Sequence, residues 1–298
     1  MVASFLSPSG RATPLPSEFG NWTSLETVMN IKDQGECGSC WAVTAGTVLN
    51  AHAEIHAATP ASVPKFSVQQ IVDCVANPHK CGGSGGCDGA TVELAFDYVL
   101  NNGLQTEEQD PYRGAGGTCS AAASLAQLRA ARDDGGEDLA TLTAEGAHAA
   151  PPDAPGRAIG MVGWERLPEN RYEPLMRALV ERGPVGVSVS AGAWFSYQGG
   201  VFDGCGKDAV IDHAVTLVAY GVDHELNEKF WTIQNSWGPS WGEGGKIRLL
   251  RRDGEQEWCG TDAQPQQGTG CDGGPASVTV CGMCGILYDS SVPHFAPV

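Results

Sequence analysis

The sequence has no hydrophobic run of about 18 residues, the length that a membrane-spanning helix requires, so no such helix is predicted. Basic side chains are scarce as well: Lys and Arg number 18 against 35 Asp and Glu, for a net charge of −17. A uniformly acidic chain repels phosphate backbones, which disfavours nucleic-acid binding. Hydrophobic residues make up 42% of the 298 residues, which is enough for a sizeable core and excludes general disorder.

Cysteine, by contrast, is abundant. The chain has 11 cysteines, so that ten can pair and one thiol is left over. This number favours an oxidising compartment, because cytosolic chains rarely keep many disulfides. Residues 1–20 contain a single Arg and no long apolar block, so they do not resemble a signal peptide, and we expect the native start to be missing. A cytosolic protein with many free thiols is the alternative.

Pattern and composition divide the chain into four parts. An N-terminal arm over residues 1–20 is rich in Pro, Ser and Gly. Residues 21–120 are predicted to be mainly helical, residues 121–157 form an insertion or linker rich in Ala, Gly and Asp, and residues 158–298 are mostly β. A helical half followed by a β half predicts an α+β fold of two lobes with a cleft between them.

Individual elements follow from spacing and end signals. Apolar residues at helical spacing predict helices over 40–57 and 92–102, the latter ended by Gly103, and Ser67 with Gln70 forms a capping box. In the second half a helix is predicted over residues 175–182, closed by Gly183-Pro184, and the predicted strands cover residues 185–189, 214–220, 230–235 and 246–250.

Cys40 is the candidate nucleophile. A glycine-rich loop beginning at Gln34 leads into the predicted helix, and Cys40 lies in the first turn of that helix. The unpaired N–H groups and the positive dipole end there favour a thiolate, which is the nucleophilic form of the side chain. The backbone N–H of Cys40 is also directed towards a carbonyl that the thiolate attacks.

His213 is the candidate partner among seven histidines. His52 and His56 lie three or more turns along the same helix and cannot reach back to Cys40. His213 stands directly before a predicted buried strand, and the hairpin that follows brings Asn235 near it, given a small offset or bulge. The Asn235 carbonyl can then orient the imidazole, with Trp237 as an apolar cover. The other histidines lie in polar, proline-flanked or terminal segments: His79, His148, His224 and His294.

These segments resemble the papain-like cysteine peptidases of the cathepsin family. Gln-Gly-Glu-Cys-Gly-Ser-Cys-Trp-Ala at 34–42 is similar to the family's nucleophile motif, Asp212-His213-Ala214 to its histidine motif, and 235–242 to its asparagine motif. The resemblance covers roughly residues 16–120 and 158–292 and leaves out about 253–280. It implies the papain-like fold, with a helical lobe and an antiparallel, β-barrel-like lobe.

The resemblance implies a role for each residue. Cys40 is the nucleophile, His213 the general acid and base, and Asn235 its orienting partner, while the Gln34 amide and the Cys40 N–H form the oxyanion hole. The reaction is then that of a cysteine endopeptidase, which hydrolyses peptide bonds through a thioester acyl-enzyme without cofactor or metal. Substrate binding is assigned to Gly38, Gly89, Ala90, Asp212, Trp237 and Asp289.

Two of these assignments carry further expectations. The family usually has Gly at position 90, so the Ala90 methyl group is expected to weaken binding of the substrate backbone there. Asp289 resembles the residue at the floor of the pocket for the second residue before the cut, where an acid accepts Arg as well as apolar side chains.

The resemblance also implies three disulfides, Cys37–Cys87, Cys74–Cys119 and Cys205–Cys284. Cys81, Cys259, Cys271 and Cys281 remain, and these allow three pairings; Cys271–Cys281 with Cys81–Cys259 is our guess. The expected partners are polypeptide substrates and cystatin-type inhibitors, with no nucleic acid and no membrane, and the protein is expected to be a monomer. The expected location is lysosomal, vacuolar or extracellular.

Other readings of the same residues remain open. Cys37-x-x-Cys40 with Cys281-x-x-Cys284 is a possible four-thiolate zinc site, and the first pair alone resembles a thiol–disulfide exchange motif. A catalytically silent papain-like fold used for binding is a further alternative.

Fewer residues precede the matching region than an inhibitory propeptide needs, so we expect a mature or truncated chain, or another control of activity. Asn21-Trp22-Thr23 is a glycosylation sequon.

Overall fold

The structure is a computed structural model that describes residues 13–119, 146–149, 151–252 and 258–296. Most of the predicted arm and of the predicted insertion lies outside these residues. No helix in the described ranges is long and apolar enough to cross a bilayer.

The first part of the chain is helical, as predicted. It contains α1 (Glu26–Met29), α2 (Cys40–His56), α3 (Val68–Cys74) and α4 (Val92–Asn102). The Ser67 hydroxyl caps α3 by accepting from the Gln70 N–H at 3.0 Å. The Gln70 side chain does not complete the box, because it bonds the Gln105 N–H instead. Gly103 ends α4 with φ +74°, a conformation that favours glycine.

The second part is built on a sheet of eight strands. These pair in the order β1-β2-β10-β3-β5-β6-β7-β4, and all neighbours are antiparallel except β4 and β7. A helix, α5 (Tyr172–Glu181), packs on this sheet, and two further strands form a separate hairpin. The strands are β1 (Gly146–Ala149), β2 (Met161–Arg166), β3 (Val185–Val189), β4 (Val201–Phe202), β5 (His213–Asp223), β6 (Glu228–Gln234), β7 (Lys246–Leu250), β8 (Cys259–Asp262), β9 (Val278–Cys281) and β10 (Asp289–Phe295).

The fold class is α+β, as predicted, but the β part is not a barrel. Its edge strands, β1 and β4, do not pair with each other among the described residues, so the sheet stays open. These edges are only four and two residues long, too short to extend the hydrogen-bonded ladder around a closed ring. Strand β1 itself lies within the range predicted as an insertion, and His148 stacks on Trp164 at 3.9 Å.

Two groups of buried side chains form the cores of the two lobes. The helical core is built on α2, α3 and α4 and includes Trp41 and Phe96. The β core includes Trp194, Leu217 and Trp231. The lobes meet where α2 packs against β5. The nucleophile candidate begins α2 and the histidine begins β5, so this contact brings the two residues to one cleft of about 400 Å³.

Five disulfides stabilise the molecule. The three predicted pairs, Cys37–Cys87, Cys74–Cys119 and Cys205–Cys284, are confirmed. The guess for the other four cysteines is wrong, since the bonds are Cys81–Cys271 and Cys259–Cys281. The cause is the β8–β9 hairpin, whose register sets Cys259 opposite Cys281 and leaves Cys271 at the far end of the connection.

Candidate active site

Cys40 begins α2 at the edge of the cleft. The loop before it is held by the Gly38 N–H, which donates to the Cys87 carbonyl at 2.9 Å. A Cβ at Gly38 would lie 2.5 Å from that oxygen, so the approach requires glycine. Among the described cysteines, Cys40 alone has a free thiol, and it is partly exposed. The residue therefore lines the cleft at the positive end of a helix of 17 residues.

Cys40 and His213 favour each other's charged forms. Burial raises the pKa of the Cys40 thiol, but the charge of His213, its hydrogen bond and the backbone hydrogen bonds of Ala214 and Trp41 together lower that pKa by more. For His213, burial lowers the pKa, while the Cys40 charge, the bonds to Cys40 and Asn235 and the Asp212 charge together raise it by more. The pKa of the thiol is thus lowered and that of the imidazole raised, as a thiolate–imidazolium pair requires.

Asn235 orients the imidazole. Its Oδ1 lies 2.8 Å from His213 Nε2, which leaves Nδ1 for the sulfur. The two residues come together because β5 and β6 form an antiparallel hairpin whose register shifts between Leu217 and Ala219, the small offset that the sequence argument allowed. Asn235 is 3% exposed, so water does not compete for this bond.

Aromatic rings cover the histidine. The ring centroid of Trp237 lies 5.0 Å from that of His213, and Phe195 stacks on Trp237 at 4.8 Å. Trp194 meets the imidazole edge-on at 6.4 Å. Trp237 was predicted as a cover; Trp194 and Phe195 were missed. Their one sequence signal is an aromatic pair shortly after the strand β3.

Gln34 lines the cleft beside Cys40. Its Oε1 accepts from the Ser236 hydroxyl at 2.6 Å, and its Nε2 donates to the Cys37 carbonyl at 2.9 Å. An amide nitrogen carries two protons, so the second remains to face a substrate oxygen. Tyr112, which the sequence did not indicate, supports this loop by donating to the Gln34 carbonyl at 2.8 Å.

Five of the six predicted substrate-binding residues line the cleft: Gly38, Gly89, Ala90, Asp212 and Trp237. Gly89 has φ +97°, and a Cβ there would lie 2.2 Å from the Gly82 carbonyl oxygen. Asp212 accepts from the Ala191 N–H at 3.1 Å and raises the pKa of the neighbouring His213.

Asp289 lies apart from the other five. It lines an adjacent cavity of about 170 Å³ that meets the cleft at Thr91 and Thr269. Arg166 Nε contacts its carboxylate at 3.3 Å, and the Ser188 hydroxyl donates to it at 2.7 Å. Glu93 lines the same cavity, where burial and the charge of Asp289 raise its pKa to about 7.

The two thiol-based alternatives disagree with the disulfides. Cys37, Cys281 and Cys284 are each bonded to a cysteine outside the proposed zinc set, so those thiolates are not available to a metal. The exchange motif would require a bond between Cys37 and Cys40, whereas Cys37 pairs with Cys87. Within the described ranges, no group of three or more His, Cys, Asp or Glu is arranged to hold a metal ion.

Curated proteins similar to this chain are plant cysteine proteinases. The cysteine proteinase EP-B 1 of Hordeum vulgare is 33% identical over 296 residues, which cover 98% of this chain and 62% of the relative. The KDEL-tailed cysteine endopeptidase CEP2 of Arabidopsis thaliana is 33% identical over 283 residues, or 94% and 60%. The chain therefore spans less than two thirds of the length of these relatives.

Solved structures that superpose on this chain are also cysteine proteases. The proform of the ragweed pollen allergen Amb a 11, a cysteine protease, superposes with a TM-score of 0.65 at 28% identity, covering 96% of this chain and 67% of the allergen chain. Bromelain from Ananas comosus, in complex with the inhibitor E64, gives 0.63 at 27% identity, covering 95% and 100%.

The sequence profile described as "Papain family cysteine protease" matches residues 15–269, more than half of the chain. The chain thus belongs to the papain family of cysteine proteases.

Proposed function

We propose that the protein hydrolyses peptide bonds as a cysteine endopeptidase. The observation that carries this proposal is that the free thiol of Cys40 begins α2 in the same cleft as His213, whose Nε2 lies 2.8 Å from Asn235 Oδ1. The opposed pKa shifts at Cys40 and His213 agree with a thiolate and an imidazolium across the cleft. Burial disfavours the charged form of both residues, so the charge pair is costly to maintain. A catalytically silent binding protein would have no need for it.

The proposed reaction has two halves. The Cys40 thiolate attacks the substrate carbonyl, and the His213 imidazolium gives its proton to the leaving amine, so that a thioester forms. Neutral His213 then takes a proton from water, which attacks the thioester and releases the acid product together with the thiolate. The bond from Asn235 supports both halves, because it fixes the ring while the ring gains and loses its proton.

We assign the oxyanion to the Gln34 amide and the Cys40 N–H. Donors placed beforehand stabilise the negative oxygen that develops in the transition state without further reorganisation. The bonds from Gln34 to Ser236 and Cys37 support this role, since they hold the amide plane fixed.

The proposed substrates are polypeptides bound in extended form between Gly38, Gly89 and Ala90 on one wall and Asp212 and Trp237 on the other. We further propose that a basic second residue before the cut is tolerated through Asp289. Asp289 and Glu93 line the adjoining cavity with Arg166, so two acidic side chains face one basic one there, although the raised pKa of Glu93 reduces its share of the negative charge.

Inhibitors, location and assembly are proposed on the same basis. E64 binds bromelain, so epoxides of that type are proposed to react with Cys40 here; cystatin-type inhibitors and a monomeric state are proposed from the family resemblance. Five disulfides suit a vacuolar, lysosomal or extracellular location. We also propose the division into an arm (1–20), a helical lobe (21–120), an insertion (121–157) and a β-rich lobe (158–298).

An epoxide inhibitor tests the proposed function directly. The unmodified protein is incubated with an E64-type epoxide, and the labelled peptide is identified by mass spectrometry. We expect one label, at Cys40, and a loss of labelling by about 10²-fold or more in His213→Ala, because the thiolate loses its counter-charge. His224→Ala is the matched control, since this exposed histidine does not line the cleft and pairs with Glu18 at 3.1 Å. Labels spread over several cysteines, or unchanged labelling in His213→Ala, would contradict the proposal.

A further inference from the structure

The connection between β8 and β9, residues 263–277, crosses from one lobe to the other. We name it the strap. It lies in the part of the sequence that the family resemblance leaves out. The two strands that it joins are fixed by the antiparallel register Asp262 to Val278 and by the Cys259–Cys281 disulfide. The strap therefore begins and ends at a rigid base on the β lobe.

Ile211, two residues before the catalytic histidine candidate, anchors the near half of the strap. Its N–H donates to the buried carboxylate of Asp262 at 3.1 Å, and its carbonyl accepts from the Thr269 N–H at 2.8 Å. A Cβ at Gly268 would lie 2.0 Å from the Ile211 oxygen, so the backbones touch and only glycine fits. The strap is thus held against the β-lobe wall of the cleft.

The far half of the strap is fastened to the helical lobe. Cys271 is bonded to Cys81 and is buried with the helical core, and the Gly82 N–H donates to the Gly270 carbonyl at 3.2 Å. One residue further on, the Asp272 N–H donates to the His79 carbonyl at 2.8 Å, and its carboxylate lies 3.3 Å from Lys80 Nζ. The strap is therefore a covalent bridge between the lobes.

This bridge meets the helical lobe beside the wall of Gly89 and Ala90 that the family resemblance assigns to the extended substrate backbone. A Cβ at Gly82 would lie 2.5 Å from the Ala90 carbonyl oxygen, so the loop gripped by the strap packs directly on that wall. Gly268 and Thr269 line the cleft from the opposite side. Pro265, Gly270 and Cys271 line the adjoining cavity that contains Asp289.

We propose that the strap ends the cleft after the subsite for the second residue before the cut. The substrate class is then peptides recognised through two residues on the acyl side, and further residues on that side find no groove to occupy. This inference rests on the proposed function. Its physical basis is that an extended chain advances about 3.3 Å per residue and needs a continuous channel, which a disulfide-tethered backbone interrupts.

A length series tests the inference in the unmodified protein. Blocked peptide amides with a fluorogenic leaving group are compared, with one, two, three and four residues before the cut and identical first and second residues. We expect kcat/KM to rise from one residue to two and then to change by less than about threefold, whereas an added subsite that contributed about 1.4 kcal/mol would raise it about tenfold. A rise of threefold or more on adding the third residue overturns the inference.

Binding separates this inference from the proposed function. The dissociation constants of the same peptides, without the leaving group, are measured with Cys40→Ala, which retains the cleft but not the thiolate. Affinity is expected to stop improving at two residues. If the unmodified protein hydrolyses nothing while affinity shows this limit, the proposed function fails and the inference stands; if hydrolysis occurs and both kcat/KM and affinity keep rising with length, the inference fails alone.

Removing the strap should open the groove. Because Asp262 and Val278 pair directly, an Asn-Gly turn can replace residues 263–277 and leave the hairpin closed. In this variant, adding the third residue to the peptide is expected to raise kcat/KM. The gain should be about ten times the gain seen in the unmodified protein. The double variant Cys81→Ser with Cys271→Ser releases only the end of the strap that is bonded to the helical lobe. In this variant the third residue should also raise kcat/KM, but by a smaller factor than when the strap is removed. Lys80→Ala, which removes only the exposed ion pair, is the matched control and should behave as the unmodified protein. Identical length dependence in all variants would contradict the role of the strap.

Discussion

The proposed catalytic centre, Cys40 with His213, and the strap, which by our inference closes the acyl-side end of the cleft, both join the two lobes, but by different forces. At the centre, Cys40 and His213 face each other through charge and hydrogen bonds, with no covalent link. At the acyl-side end, the lobes are bonded through Cys81 and Cys271 and by backbone hydrogen bonds. The reaction should therefore respond to changes in charge and protonation, whereas the number of subsites should respond to changes in chain connectivity.

Apart from variants that remove Cys40 or His213, Gln34→Ala should lower kcat the most. Removal of one oxyanion donor typically lowers kcat by about 10²–10³, and we expect that range here with little change in KM. Steady-state kinetics on a blocked dipeptide amide measure it.

Ser236→Ala is the comparison variant for Gln34, because it removes the 2.6 Å bond that orients the amide but keeps the donor. Its kcat should fall by about tenfold, a smaller loss than in Gln34→Ala. If Gln34→Ala lowers kcat by less than Ser236→Ala does, the oxyanion assignment is wrong.

Asn235→Ala should alter the pH dependence as well as the rate. The thiolate–imidazolium pair exists above the lowered pKa of Cys40 and below the raised pKa of His213, so kcat/KM should follow a bell-shaped curve. The bond from Asn235 is one cause of the raised His213 pKa. Its removal should move the alkaline limb to lower pH and reduce the maximum by about tenfold.

The measurement is the kcat/KM profile of both proteins across the full pH range. Asn102→Ala is the control, since this side chain bonds only the Tyr98 carbonyl at the end of α4. An alkaline limb that stays in place in Asn235→Ala would show that another group sets it.

Asp289→Asn should have the smallest effect and belongs to the acyl-side end. Loss of one carboxylate charge is expected to lower the ratio of kcat/KM for Arg over Leu at the second residue by about threefold to tenfold, because Arg166 already compensates part of that charge. Asn is preferred to Ala, since it retains the shape and a hydrogen-bonding side chain beside Ser188.

Glu169→Gln is the matched control for Asp289, because Glu169 contacts Arg166 at 2.9 Å but does not line the cavity. The Arg-to-Leu ratio should be unchanged in this variant. If the ratio is also unchanged in Asp289→Asn, Asp289 does not select the second residue.

Much of the centre could be predicted from the sequence because its parts are local. The glycine-rich loop, Cys40 and the start of α2 are contiguous, and α2 was predicted to within one residue of its end at His56. His213 and Asn235 are 22 residues apart but belong to one hairpin, so strand register alone brings them together. The predicted helix before Gly183-Pro184 was also confirmed, with its start at Tyr172.

The acyl-side end could not be predicted in the same way, because it depends on contacts between distant segments. Cys81 and Cys271 are 190 residues apart, and nothing in either neighbourhood indicates the other. The ion pair of Asp289 with Arg166 joins residues 123 apart on strands β10 and β2. Sequence spacing sets local geometry, whereas such pairs follow from how the whole sheet is assembled.

The disulfide between Cys81 and Cys271 also bears on how the molecule can move. A rigid joint at one end of a groove converts any separation of its two walls into rotation about that joint, so the displacement grows with distance from it. In the proposed mechanism the amine leaves from the side of Cys40 away from this disulfide, whereas the acyl fragment is held near it. The thioester already fixes the order in which the two products leave, so this joint is expected to act on the rate of the second release, which takes place beside it.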